Sequence, residues 1–134
     1  MAPVQAKPLV YPRFWVLLIG LIALFILYVS WMPISTGTIS ANDKFLHAIT
    51  YFIFTVYVLA VLRHRFLVGS IILTAVFSLC VEFGQSYLPY RSFEAFDMLA
   101  NIIGISCGFL ISIRFSNHWL LLIEKKLIRI LFND

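Results

Sequence analysis

The sequence predicts an all-α membrane protein, with four transmembrane helices followed by a C-terminal amphipathic interfacial helix, and three observations carry that prediction. Of its 134 residues 62% are hydrophobic and only 12% charged, whereas soluble domains are about half apolar and about a quarter charged. Apolar runs close to the roughly 20 residues that a bilayer demands recur four times. The last segment then switches to a helical alternation of basic and apolar residues. With a mean hydropathy of +0.98, the chain reads as one small integral membrane domain. Its formal charge of +4 comes without a basic tract, because lysines and arginines cluster at the ends of apolar runs. Membrane topology explains them, and no nucleic-acid partner is expected.

Residues 1–13 are a tail carrying Lys7 and Arg13, and the first span covers residues 14–32 up to Pro33. It exceeds the apolar core of a signal peptide and no small-residue cleavage site follows, so a retained helix is expected. The loop PISTGTISANDK is rich in turn and cap formers; Ser40 with Asp43, or Asn42 alone, could cap the second span at residues 45–62. The triplet RHR at 63–65 forces a tight turn into the third span, residues 66–83. Pro89 ends that helix, Ser92 is a candidate N-cap, and the fourth span covers residues 93–113 before Arg114.

In residues 114–134 the polar His118, Lys125, Lys126, Arg129 and Asn133 fall on one helical face. Trp119, Leu120, Ile123, Leu127, Ile130 and Leu131 fall on the other. This is the pattern of a helix lying in the interface, with continuation of the fourth span as the alternative. Trp15, Trp31 and Trp119 are read as interface anchors. Cys80 and Cys107 sit at different depths of apolar runs and are read as free, buried thiols.

Eight of the ten lysines and arginines lie in the N-tail, the 63–65 turn and the C-tail, leaving Lys44 and Arg91 on the other side. Both termini are therefore expected in the cytoplasm. That topology brings Asp43, Lys44 and His47 to the same outer side as Glu82, Gln85, Arg91, Asp97 and Asn101. Residues three or four apart share a helical face, which groups Asp43 with His47 and Tyr51, Glu82 with Gln85, and Asp97 with Asn101. Measured from Ser92, Asp97 and Asn101 would lie roughly 7 to 14 Å inside the fourth helix, a depth at which ionisable groups are costly and point to function. The same helix continues into Gly104 and Gly108, a small-residue stripe that lets another helix approach closely.

Each residue type suggests a chemistry and a bland counterpart. His47 is a proton carrier or ligand, or a histidine hydrogen-bonded between helices. Glu82 with Gln85 is a base with a positioned amide, or a helix end paired with Lys44 or Arg91. Arg91 can grip a phosphate or carboxylate in a fork, or lock Asp97 in place. Glu94 beside the cap carries no expected chemical role. A metal site could be drawn from His47, Glu82 and Asp97, but no ligand-dense motif such as H-E-x-x-H supports it. No metal or cofactor is expected. Nor is there a serine elbow, a Cys/His pairing or a P-loop, so catalysis carries no established signature.

At these residues the sequence resembles the VanZ-like family of small bacterial membrane proteins. The carriers are NDKFLHAITYF at 42–52, with D-K-x-x-H at Asp43, Lys44 and His47, and VEFGQSYLPYRSFEAFDMLANIIGISCG at 81–108. The second holds E-x-x-Q at Glu82 and Gln85, the Arg91-to-Asp97 spacing, and A-N-x-x-G at Ala100, Asn101 and Gly104. The family takes its name from a protein associated with teicoplanin resistance. The resemblance implies a bacterial inner-membrane protein that handles a cell-envelope component. The leading expectation is an outward polar pocket for the headgroup of a membrane lipid or lipid-linked precursor. The rivals are a membrane hydrolase or transferase using Glu82 or His47, and a structural subunit that packs on a membrane partner or second copy through Gly104 and Gly108.

Overall fold

The computed structural model describes residues 8–33, 41–91, 94–115 and 117–132, and among these the chain is helical without strands. α1 is Pro12–Ser30, with its proline in the first turn. There the missing N–H is no loss, because first-turn amides have no intrahelical acceptor. The helical stretch Ala41–Ser86 breaks at Phe66, whose φ of −144° and ψ of 61° are not helical. The break separates α2 (Asp43–Leu62) from α3 (Phe66–Ser86). α4 is Ala95–Phe115 and α5 is His118–Phe132. The spans of 19 to 21 residues are about 30 Å long, enough to cross the hydrocarbon core. The caps expected from Ser40, Asn42 and Ser92 lie outside the described side chains.

α2 and α3 run antiparallel. His47 near the start of α2 meets Glu82 near the end of α3, and the rings of Tyr51 and Phe54 lie 6.4 and 5.4 Å from Phe77. α4 returns along α2 at very short range. A Cβ on Gly104 would collide with the carbonyl of Ala48, and one on Gly108 would stand 2.8 Å from the carbonyl oxygen of Phe52. The small-residue stripe, read as a face turned toward protein, therefore packs on α2 within the chain. Lipid offers no hydrophobic gain for helix association, so this closeness is what van der Waals contact can exploit.

α1 is held at both ends. The amide of Gln85 donates to the Ser30 carbonyl at 2.8 Å, and the Tyr90 hydroxyl donates to the Trp31 carbonyl at 2.8 Å. These bonds satisfy carbonyls that a helix C-terminus leaves open. Trp31 lies on Gly84, where any Cβ would meet its ring. Trp15, Ile19 and Ile26 of α1 join Phe54, Val58 and Val61 of α2 and Leu120 of α5 in one apolar core.

At the other end α5 turns Glu124 inward. The Glu124 carboxylate accepts from the backbone N–H groups of Val10 and Tyr11, both at 2.9 Å, and from Trp15 Nε1 at 2.8 Å. Glu124 thus supplies the anionic cap that the start of α1 does not provide from its own sequence. Trp15, only 5% exposed, is part of this buried clasp and not an interface anchor. The tail is a helix separate from α4, amphipathic as expected, with Leu120 and Glu124 as its inward contacts. The two cysteines are exposed on the outer surface of their helices, not buried. Hydropathy cannot tell a lipid-facing position from an interior one, because both are apolar.

Candidate functional site

Four helix ends meet at the end of the bundle away from Glu124: the C-termini of α1 and α3 and the N-termini of α2 and α4. Asp43 and Asp97 both sit in the first turn of their helices, where the exposed N–H groups favour negative charge. Because α4 starts at Ala95, Asp97 lies only about 3 Å along the helix and Asn101 about 9 Å. Asp97 is thus shallower than a start at Ser92 implies.

Two connected networks occupy this end. In the inner one, Asn101 Nδ2 donates to Glu82 Oε1 at 2.9 Å, and His47 Nδ1 stands 3.2 Å from Asn101 Oδ1 and 3.4 Å from Glu82 Oε1. Glu82 and Asn101 are each only 1% exposed. The second oxygen of Glu82 has no hydrogen-bond partner among the described residues. In the outer network Lys44 Nζ donates to Glu94 at 2.8 Å and to Asp97 Oδ1 at 3.3 Å. His47 joins the two, with Nε2 4.0 Å from Asp97 Oδ2.

Arg91 does not lock Asp97, the role that sequence spacing suggests. Its Nη1 faces Asp43 Oδ2 at 3.9 Å, a separation beyond hydrogen bonding, while its buried Nε has no hydrogen-bond partner among the described residues. Lys44 takes the place beside Asp97, and Glu94 acquires an ion-pair role that sequence reading did not assign. Gln85 spends its amide nitrogen on Ser30. Its reach into a reaction is correspondingly limited.

A cleft of about 100 Å³ opens beside these groups, lined in part by Ser30, Asp43, His47, Tyr51, Gln85 and Arg91. Glu82, Asp97 and Asn101 are not among its lining residues; they back the histidine from behind. Sequence reading missed Ser30 and Thr50 on the wall, both plain hydroxyl residues without a distinguishing pattern. It also missed Glu124 at the opposite end. The signal for Glu124 was present: the residue falls four after Leu120, at the edge of the apolar face of α5, where a charge needs a partner.

The family model described as VanZ/LLP1 matches residues 14–117. The chain is also 38% identical over 76 residues to the uncharacterized protein C11E3.10 of Schizosaccharomyces pombe, a match covering 54% of this chain and 47% of that protein. The chain thus spans about half the length of that relative. No solved structure matches.

Proposed function

The chain belongs to the VanZ/LLP1 family, and from that premise we propose that its polar end binds the phosphate-bearing headgroup of a membrane lipid or a lipid-linked envelope precursor. The observation that carries this reading is Arg91. Its guanidinium lines a small cleft with a long contact to Asp43, and its Nε has no hydrogen-bond partner among the described residues, so donors are left for an oxyanion. A guanidinium fork matches phosphate geometry better than a lysine point charge. The cleft has room for one small oxyanion group, with the acyl chains left in the surrounding lipid. The count of lysines and arginines supports placing this end on the non-cytoplasmic side of the membrane.

The hydrolase or transferase reading has less support. Glu82 is almost wholly buried and shares one oxygen between Asn101 and His47, which suits holding the imidazole better than attacking a substrate. In a bacterium, a hold on lipid-linked wall precursors is the route by which such a protein would alter teicoplanin susceptibility.

Native mass spectrometry of the protein in lipid tests the proposal. A phosphate lipid should be retained over the neutral lipid of the same acyl chains, and Arg91→Ala should reduce that preference by about tenfold, or about 1.4 kcal/mol. Arg91→Lys should restore part of it. Equal retention of both lipids by the unaltered protein sinks the reading.

A further inference from the structure

We propose that Asp43, His47 and Asp97 form a divalent-cation site, with zinc as the ion that best suits their ligand atoms. These three residues come from two helices, and each offers one ligand atom within 4.8 Å of the others. A shared zinc at about 2.0 to 2.2 Å from each would draw them together by roughly an ångström, which helix-end side chains accommodate by small rotations. One imidazole nitrogen and two carboxylate oxygens suit zinc or manganese better than calcium, which takes oxygen ligands only. Three protein ligands would leave a fourth tetrahedral position for water or a bound group.

Two further observations point to a cation. The first is Glu82, 1% exposed, whose Oε1 faces His47 Nδ1 at 3.4 Å and whose Oε2 has no hydrogen-bond partner among the described residues. A carboxylate or amide oxygen on Nδ1 fixes the ring so that Nε2 carries the lone pair, the usual support of a metal-bound histidine. Nε2 is the nitrogen that faces Asp97. The second is charge. Asp43, Glu94 and Asp97 face Lys44 and Arg91, and Glu82 lies buried behind His47, so among the described residues this end holds more carboxyl groups than fixed cations. A divalent ion held by Asp43 and Asp97 would offset that imbalance. Lys44 and Arg91 oppose the ion, but Lys44 is already paired with Glu94 and Asp97, and Arg91 makes only a long contact of 3.9 Å to Asp43.

The cation site stands on the chain's own ligand set and does not depend on the headgroup reading. Tag-free full-length protein, stripped with chelator and reconstituted in nanodiscs, is titrated with Zn²⁺ against a chromophoric competitor. One Zn²⁺ should bind per chain, and X-ray absorption should show one imidazole with oxygen ligands and no sulfur. His47→Ala and Asp97→Asn should each weaken binding at least tenfold, Glu82→Gln about tenfold, and His118→Ala should leave it unchanged. If His47→Ala does not fold, Asp43→Asn and the absorption spectrum carry the test. Failure to bind one equivalent, a sulfur ligand, or loss of binding on His118→Ala overturns the proposal.

Discussion

Glu124→Ala is expected to destabilise the protein by about 4 kcal/mol. The carboxylate receives three hydrogen bonds, from Val10, Tyr11 and Trp15, and charge-assisted bonds contribute about 1.5 to 3 kcal/mol each. The full sum is not expected, because Val10 and Tyr11 are exposed and water can reach their amides once the acceptor is gone. The indole N–H is buried and has no such replacement. Glu124→Gln keeps one acceptor oxygen and should lose about half as much. Denaturation in mixed micelles followed by tryptophan fluorescence measures the loss, and hydrogen exchange should rise selectively at residues 10–15. A change below about 1 kcal/mol for Glu124→Ala would show that the clasp is not needed.

Gly104→Ala is expected to cost about 3 kcal/mol, and Gly104→Leu to prevent folding. The new Cβ meets the backbone carbonyl of Ala48, which cannot swing aside as a side chain would, so α4 must move away from α2. That movement also carries Asn101, one turn earlier, away from His47 and Glu82. Stability and the integrity of the polar end should therefore fall together. Light scattering and thermal melts in nanodiscs separate the possibilities. The expected result is lower thermal stability with no change in oligomeric state. Gly104→Leu protein that melts like the unaltered chain but loses a partner copy would return the stripe to an intermolecular role.

The architecture was legible because bilayer thickness makes span length a strong sequence signal. The grouping of Asp43, His47, Glu82 and Asn101 at one end was also legible, since alternating spans bring specific ends together. Pairing within that end was not. Whether Arg91 meets Asp97 or Asp43 depends on the path of the α3–α4 connection, and spacing along a helix does not specify a connection's path. Glu124 escaped notice for a different reason. Its place at the edge of the apolar face of α5 signals a need for a partner, but which one is not local, because the start of α1, over a hundred residues earlier, supplies it. Trp15 was misread by the same logic, because a tryptophan near a span end is usually an anchor. The cysteines show the limit of hydropathy in a membrane, where lipid and protein interior share one polarity.

The Glu124 clasp also has a bearing on how the protein is made. The acceptor for the Val10 amide lies 114 residues later in the chain, so until α5 docks the exposed amides of Val10 and Tyr11 rely on water. The polar end needs nothing beyond Asn101 and can assemble while the last helix is still being synthesised. The opposite end closes only when α5 emerges and turns its carboxylate back to the start of α1. The clasp at this end thus forms only once α5 is in place, and until then the buried Trp15 indole N–H lacks its acceptor.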